Sequence, residues 1–160
     1  MVTAVVVARE VAGAVPDPEL PVLTIADLGV LRGVDVADDG VLEVTITPTY
    51  SGCPAMETIR GDVETALHEA GFPDVRIRTV LAPAWTTDWI SERGRAALRE
   101  FGIAPPAPRR AGAVPLTLAV RCPQCGSPET REISRFGSTA CKALWQCRSC
   151  GEPFDHLKTL

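Results

Sequence analysis

Apolar residues recur every three or four positions between residues 55 and 70, a spacing that predicts an amphipathic helix with one buried face. The stripe consists of Met56, Ile59, Val63, Ala66, Leu67 and Ala70. Pro54 suits the first helical position, where its fixed φ helps and its missing N–H is not needed. Gly71 is typical of the residue that follows a helix. Cys53 is therefore expected at or beside the N-cap.

Strand-like alternation of apolar and polar residues occurs in three places. The segments 30–36 and 41–47 alternate on either side of Ala-Asp-Asp-Gly at 37–40, which predicts an antiparallel hairpin. A third strand is predicted at 75–81, after the helix that follows Cys53.

Three further helical segments are predicted. The start of the chain reads as a short helix, because it is apolar and meets Glu10 early. Asp17 as N-cap with Pro18 at the first helical position predicts a short helical turn, which Ala-Asp-Leu-Gly closes at 26–29. The segment 86–102 predicts a longer helix. Its expected core positions are Trp89, Ile90, Ala97, Leu98 and Phe101.

The clearest boundary in the chain is a segment rich in proline. Residues 103–115 contain four prolines and no usable period, which is typical of a semi-rigid linker. The predicted organisation is a first domain at 1–103, a proline-rich linker at 104–115 and a small four-cysteine module at 116–160.

Composition and charge narrow the function classes. The chain has 160 residues, 46% of them hydrophobic, but no apolar run long enough to span a bilayer and no basic segment before the apolar start. A cytoplasmic location is therefore predicted. Residues 1–105 carry a net charge of −8 and residues 106–160 a net charge of +4. The second part also contains five cysteines, and four of them bound as thiolates to one divalent metal ion would bring it to about +2, which is too weak to favour nucleic acid as a main partner.

Two Cys-x2-Cys-Gly knuckles, at 122–126 and 147–151, predict a four-cysteine metal site. Each knuckle can place two thiolates on one metal ion, since the tight turn that Gly permits directs backbone N–H groups at the sulfurs. The ligands would be Cys122, Cys125, Cys147 and Cys150. A closed tetrahedral site of this kind is structural, with zinc as the expected metal. An iron site or an iron–sulfur cluster on the same thiolates is the alternative.

The remaining cysteines and histidines allow more than one interpretation. Cys141, between the knuckles, is expected to be a buried strand residue, with a free thiol near the metal as the alternative. His156 is interpreted as a surface residue of the last strand, and His68 as a polar position on the Cys53 helix. Cys53 itself is either a buried structural cysteine or a functional thiol. The positive end of a helix dipole favours the thiolate, which is the nucleophilic and metal-binding form.

Several motifs resemble those of known families. Asp-Pro-Glu at 17–19, Asp-Leu-Gly at 27–29 and Thr-x-Thr-x-x-Gly-Cys-Pro at 47–54 look like the small α+β domain of SufT and related iron–sulfur assembly factors. In the tail, CPxCG, FGSTACKALWQC and CGEPFDHLK resemble the zinc-binding part of the PaaD (PaaJ) family of phenylacetate degradation. The expected fold is therefore α+β, with a SufT-like three-stranded sheet and helices followed by a β-rich zinc ribbon.

The resemblance implies an accessory protein of the phenylacetyl-CoA epoxidase (ring-1,2-epoxidase) system. That system is a multicomponent oxygenase with a di-iron catalytic subunit and a reductase that carries an iron–sulfur cluster. PaaD-like proteins are thought to help its maturation. The implied partners are epoxidase subunits and iron–sulfur assembly components, with structural zinc and a transient iron–sulfur cluster as cofactors. By position, Cys53 matches the reactive or cluster-handling cysteine of the family. The other motif positions near it are Asp17, Glu19, Asp27, Thr47 and Thr49.

Two other classes of function remain as alternatives. One is a thiol-dependent enzyme or catalytic subunit of the oxygenase, and the other is a zinc ribbon that binds nucleic acid. No paired carboxylates at a helical metal spacing, Gly-rich phosphate loop or Cys–His pair is evident in the sequence, so independent catalysis is poorly supported. The sequence leaves open the client subunit, the oligomeric state and whether Cys53 or Cys141 holds a cluster.

Overall fold

The computed structural model describes residues 2–107 and 119–159. The chain divides into two compact units, Met1–Gly94 and Arg95–Leu160. Among the residues so described, none of the helices combines the length and the apolar character needed to cross a membrane.

The N-terminal unit contains a three-stranded sheet and two helices that pack with it. In chain order its elements are α1 (Val2–Gly13), β1 (Leu31–Val36), β2 (Leu42–Ile46), α2 (Ala55–Glu69) and β3 (Val75–Thr79). The strand order is β1-β2-β3, with β1 antiparallel and β3 parallel to β2. Parallel neighbours need a crossover connection, and α2 is that connection. The predicted α+β class and the three strands are confirmed.

The core of this unit joins the apolar face of β2 to the apolar stripe of α2. Its buried side chains include Leu42, Val44 and Ile46 from β2 and Ile59, Val63 and Leu67 from α2. Burying an aliphatic side chain of this size contributes about 1.5–3 kcal/mol. The periodicity in the sequence therefore identified the buried face of β2 and the centre of the α2 stripe, whereas Ala70 at its end is exposed.

The C-terminus of α2 forms at the predicted glycine. Gly71 has a φ of +92°, a left-handed conformation in which any Cβ would be strained. Its N–H donates to the His68 carbonyl at 3.0 Å, and the Phe72 N–H donates to the Leu67 carbonyl at 3.0 Å. These two bonds form a Schellman motif, which satisfies carbonyl groups that the helix end leaves unpaired.

The prediction of one continuous helix over 86–102 is wrong. In its place the structure has a 3-10 turn, Thr87–Trp89, and helix α3, Glu92–Glu100. The two are separated at Ile90, whose backbone is extended at φ −66° and ψ 126°. Ser91 then starts α3 as a capping residue, because its Oγ accepts the Gly94 N–H at 2.9 Å. Of the expected core positions, Ile90 and Leu98 are buried, but Phe101 is 67% exposed.

The helical turn predicted after Asp17 is also wrong. Asp17 does cap locally, since its Oδ1 accepts the N–H groups of Glu19 and Leu20 at 2.9 and 2.7 Å. The chain bends back instead of coiling, because Pro16 and Thr24 pair as an antiparallel bridge. Backbone pairing across this loop thus outweighs the local helical preference.

The C-terminal unit is a four-stranded sheet. Its strands are β4 (Ile103–Ala104), β5 (Thr130–Ser134), β6 (Lys142–Cys147) and β7 (Pro153–Leu157). The order is β4-β7-β6-β5, in which β4 and β7 are parallel and the other neighbours are antiparallel. The predicted β-rich second part is confirmed.

The predicted domain bounds stay predictions. Most of the linker expected at 104–115 lies outside the described residues, from 108 onward. On its near side, Ala104 belongs to β4, and the Arg95 side chain donates to the Pro106 carbonyl at 2.6 Å. The C-terminal unit therefore includes residues that precede the expected linker.

Candidate functional site

The sulfur atoms of the two knuckles lie together in the C-terminal unit. All four Sγ atoms, from Cys122, Cys125, Cys147 and Cys150, lie within 4.8 Å of one another. The Cys122 and Cys150 sulfurs are 3.8 Å apart, and those of Cys125 and Cys147 are 3.6 Å apart. A tetrahedral site with Zn–S bonds of about 2.3 Å places its sulfurs about 3.8 Å apart. The cluster therefore has the size that a four-thiolate zinc site requires.

The backbone of both knuckles follows the same local rule. In each knuckle, the N–H of the glycine at its end donates to the carbonyl of its first cysteine. The distance is 2.9 Å from Gly126 to Cys122 and 3.1 Å from Gly151 to Cys147. Both glycines have positive φ, +73° and +80°, which explains the Cys-x2-Cys-Gly pattern. In the second knuckle the Cys150 N–H also points at the Cys147 sulfur, at 3.5 Å. Such N–H groups stabilise a thiolate.

The electrostatics of the four thiols also fit a bound cation. Backbone N–H groups of Cys150 and Ser149 lower the pKa of Cys147 to about 6, although desolvation opposes them. For Cys150 the N–H of Glu152 acts in the lowering direction, but desolvation and the neighbouring sulfurs outweigh it and raise the pKa to about 12. One thiolate therefore opposes ionisation of the next. A divalent cation is needed to hold four thiolates together, and Zn²⁺ with sulfur ligands meets this need.

The same cysteines are part of the packing of the ribbon. Cys122 and Cys147 are buried in one cluster with Ala104 and Phe154, while Cys125 and Cys150 are exposed. Half of the ligand set thus faces the apolar core and half faces solvent. A closed site of four protein ligands that also anchors the core is structural in character.

Cys53 lies in the N-terminal unit, at the start of α2. Pro54 is the N-cap of α2, and Cys53 directly precedes it with its side chain partly exposed. Its N–H donates to the Tyr50 carbonyl at 3.2 Å, and its own carbonyl accepts the Met56 N–H at 3.3 Å. The predicted location at the helix start agrees with the structure, and a functional role for the thiol stays a prediction.

The Asp-Leu-Gly motif at 27–29 fastens the segment before α3 to the N-terminal unit. The Leu28 carbonyl accepts the Trp85 Nε1–H at 2.8 Å. Gly29, at φ +72°, lies so close to Trp89 that an added Cβ would come within 2.7 Å of the Trp89 carbonyl oxygen. The packing of Leu28 and Gly29 against the two tryptophans therefore explains the motif without a bound ligand.

Asp27 completes this attachment with both carboxylate oxygens. Oδ1 accepts the Ser91 hydroxyl at 2.9 Å and the Arg93 Nε–H at 3.0 Å, and Oδ2 accepts Arg93 Nη2–H at 2.7 Å. Oδ2 also accepts the Thr24 hydroxyl at 3.0 Å. Burial opposes ionisation of this carboxyl, but the bonds from Ser91 and Thr24 and the charge of Arg93 outweigh it and hold its pKa below the ordinary value.

The other motif residues lie on the loops around β2 and after α1. Thr47 follows β2 and is 1% exposed, and within the described structure its hydroxyl has no hydrogen-bond partner. Thr49, on the loop toward Cys53, and Glu19 are both half-buried. A buried hydroxyl without a partner is uncommon in native proteins, so Thr47 marks this end of the sheet as unusual.

Replacing Asp27 by Asn is expected to lower the unfolding free energy of the N-terminal unit by about 1–3 kcal/mol at pH 7, since it removes the charge from a buried carboxylate that accepts several hydrogen bonds, although its partner Arg93 is exposed. The folded pKa of Asp27 is depressed, so its contribution is present above the unfolded pKa of about 3.9 and is lost as pH falls through the folded value. The difference in unfolding free energy between the parent protein and Asp27→Asn should shrink below about pH 4. Urea unfolding, followed by the amide resonances of β2, measures this difference.

Asp39→Asn is the matched control for this prediction. Asp39 and Arg76 form an ion pair at the same 2.7 Å N–O distance as Asp27 and Arg93, but the Asp39 side chain is 52% exposed and that of Asp27 only 7%. Solvent screening should leave the control close to the parent protein. Equal losses for both variants would contradict a special role for the Asp27 network.

Three features of the site region were missed or misassigned in the sequence. His156 lies on the last strand as expected but is half-buried, with its ring in T-shaped contact with Trp145 and its Nδ1 3.1 Å from the Ala104 carbonyl. Burial lowers its pKa. Cys141 is buried as expected, but it lies directly before β6 and not within a strand. The Ser91 and Arg93 contacts were also missed, although a serine followed by Glu-Arg is a helix-start signal.

Two family models match the chain, one for each part. Residues 9–80 match the family described as "Iron-sulfur cluster assembly protein". Residues 107–158 match the family described as "PaaD zinc beta ribbon domain". The first match includes Cys53, and the second includes all four cysteines of the cluster.

Curated relatives match at two different lengths. An Escherichia coli (strain K12) protein, named as one subunit of a "Putative 1,2-phenylacetyl-CoA epoxidase", is 51% identical over 146 residues, which cover 91% of this chain and 87% of the relative. A Staphylococcus aureus (strain USA300) protein named "Fe-S protein maturation auxiliary factor SufT" is 39% identical over 83 residues, or 51% of this chain and 93% of the relative. The shorter relative thus corresponds to one part of the chain.

A solved structure supports the fold of the N-terminal part. The crystal structure of a "Domain of Unknown Function DUF59" from Bacillus anthracis superposes with a TM-score of 0.55 at 26% identity, and covers 60% of this chain and 92% of its own. With the full-length relative and the two family matches, this likeness identifies the family. The chain belongs to the PaaD family, in which an iron–sulfur cluster assembly domain precedes a zinc ribbon.

Proposed function

We propose that this protein is an accessory factor of a phenylacetyl-CoA epoxidase system and assists the assembly of an iron or iron–sulfur centre in one of its components. The observation that carries the proposal is the combination of an iron–sulfur assembly domain and a PaaD ribbon in one chain. A relative named as a subunit of that epoxidase, 51% identical over 91% of the chain, supports the choice of system.

Cys53 is the proposed contact for iron–sulfur cargo, which is the substrate of such a factor. The residue is partly exposed, and no side chain in the described structure caps the first turn of α2 beside it. Uncapped N–H groups at a helix start stabilise anionic ligands. The preceding residue is also uncrowded, because a Cβ added at Gly52 would meet nothing within 4 Å. A soft thiolate in this position suits iron–sulfur cargo.

The other motif residues are proposed to shape the surroundings of Cys53. Asp17 caps its own loop through the Glu19 and Leu20 N–H groups, and Asp27 fixes the segment that leads into α3. Thr47 and Thr49 lie on the connection that carries the chain from β2 to Cys53. In this proposal they set the shape of the loop, and the thiol makes the contact with the cargo.

The proposed partners are proteins. They are subunits of the epoxidase system and iron–sulfur assembly components, met in the reducing cytoplasm where free thiols persist. Nucleic acid is not a proposed partner, because the acidic residues of the first part give it a net charge of −8. The zinc ribbon is proposed to be a structural and recognition module.

Omission of this chain is expected to leave the epoxidase short of metal. The test expresses the oxygenase and reductase components with and without it and compares the iron content, visible absorbance and phenylacetyl-CoA turnover of the purified components. We expect iron and activity to fall several-fold without the chain, and the purified chain alone to give no turnover. Fully loaded, active components made without it would contradict the proposal.

A further inference from the structure

The most exposed large apolar side chain of the described residues is Phe136, on the connection between β5 and β6. It is 76% exposed, and Ile133 close by is 50% exposed. Isolated exposed apolar residues are common, so exposure alone does not identify a binding site. The way in which the protein holds these two side chains provides the argument.

The backbone at Phe136 is fixed on both sides. The Ser134 Oγ accepts the Phe136 N–H at 3.1 Å and donates to the Phe136 carbonyl at 2.9 Å. Gly137 follows in very close contact with β6, since its N–H donates to the Lys142 carbonyl at 2.8 Å. A Cβ added at Gly137 would lie 3.1 Å from the Lys142 Cβ and 3.2 Å from an Asp155 oxygen. The loop is therefore anchored tightly while the phenyl ring points away from the core.

Ile133 is exposed by a second local device. The β5–β6 register shifts between Glu132 and Ser134, so Ile133 is the extra residue of a β-bulge. Bulges redirect a side chain and bend the strand. Because β5 is an edge strand of the sheet, the bulge and the Phe136 loop form one accessible corner of the ribbon.

One cationic group, the Lys158 ammonium, lies at this corner, although the ribbon as a whole is nearly neutral. The Lys158 Nζ lies 5.5 Å from the Phe136 ring centroid and donates to the Arg135 carbonyl at 3.2 Å. Residues 119–159 contain six Lys or Arg and four Asp or Glu, and four thiolates with one Zn²⁺ add about −2. Such a module lacks the charge for a phosphate backbone. It does offer an aromatic anchor with the Lys158 ammonium group near its ring and Arg135 next to it in the sequence.

We infer that Phe136 and Ile133, with Arg135 and Lys158 beside them, form the surface through which the ribbon binds a protein component of the epoxidase system. The complementary site is an apolar pocket rimmed by carboxylates. Aromatic residues held rigidly at the centre of a contact lose little entropy on binding and provide much of its affinity. This inference rests on the proposed function for the identity of the partner system.

The test measures binding of the zinc-loaded full-length chain to the purified oxygenase and reductase components by biolayer interferometry. Phe136→Ser is expected to weaken binding to one component by at least about tenfold. Arg135→Glu should weaken it too, and the affinity of the parent chain should fall with added salt. Zinc content and thermal unfolding of each variant report whether the ribbon stays folded.

Phe101→Ser is the matched control, because Phe101 is also a phenylalanine of the C-terminal unit and is 67% exposed. It should bind within about twofold of the parent chain, as expected for a residue outside the contact. Parent-like affinity of Phe136→Ser, or a parent chain that binds neither component, would overturn the inference. So would a Phe136-dependent affinity for duplex DNA, RNA or phosphatidylglycerol vesicles in place of protein. Metal loading of the epoxidase is measured separately from binding. Failure of the proposed function can therefore be told apart from failure of the proposed binding surface.

Discussion

Removal of the metal from the four-cysteine site is expected to unfold the ribbon and leave the N-terminal unit folded. In the described part of the C-terminal unit, seven apolar side chains besides cysteines are buried: Leu98, Ile103, Ala104, Pro106, Ala143, Phe154 and Leu157. Ordering each residue costs about 1–2 kcal/mol of backbone entropy, which a core this small does not offset. Zinc binding to thiolates contributes about 10–16 kcal/mol, so the metal decides whether the ribbon folds.

Amide hydrogen exchange measures this prediction separately for the two units. After chelation, amides of β6 should exchange at nearly the unfolded rate, while those of β2 keep their protection. Cys147→Ser should behave like chelation, since Cys147 is both a ligand and a core residue. Cys141→Ser is the control, because this buried cysteine lies outside the cluster of four.

Two results would contradict the zinc assignment or its role. Protected β6 amides in metal-free protein would mean that the ribbon folds without metal. Stoichiometric iron and no zinc in elemental analysis would assign the site to iron instead. The four-sulfur geometry accommodates a single tetrahedral ion of either kind, so the measurement decides the identity of the metal.

Replacing Cys53 by Ser is expected to abolish activation of the epoxidase while leaving the stability of the chain nearly unchanged. Cys53 is partly exposed and directly precedes the N-cap of α2, so a serine of nearly the same size removes little buried contact. A hydroxyl does not bind iron–sulfur cargo as a thiolate does. The metal content of the client should therefore fall to the level found when the chain is absent.

The measurement pairs client loading in cells with thermal unfolding of the purified variant. Cys141→Ser is again the control, and it should support normal loading because Cys141 is buried in the ribbon. Normal epoxidase activation by Cys53→Ser would make Cys53 a packing residue. A large loss of stability would instead show that its effect on activation is indirect.

Local sequence signals predicted those parts of the fold that local interactions determine. Helix α2 begins and ends where Pro54 and Gly71 indicate, because a fixed φ and a positive φ are properties of those residue types themselves. The two knuckles likewise carry their turn geometry in their own glycines. For these elements, chain neighbours are sufficient to determine the conformation.

The errors occurred where distant residues decide the structure. The break before α3 depends on Ser91, whose hydroxyl caps the helix and also bonds to Asp27, 64 positions away. His156 is half-buried because its ring contacts Trp145 and its Nδ1 lies close to a carbonyl of β4, 52 positions earlier. No periodicity reports such contacts. For the same reason, the sequence placed Cys53 at its helix but did not determine what surrounds its sulfur.

The parallel pairing of β4 with β7 sets an order of events during synthesis of the chain. Ala104 emerges from the ribosome well before its partner His156. The pairing of β4 with β7 therefore cannot form until about fifty more residues have been made. Cys147 and Cys150 are also made late, just ahead of that strand. The N-terminal unit can therefore fold first, while the ribbon is still a nascent, unmetallated chain. Metal capture and closure of the sheet then follow as neighbouring final steps of biogenesis.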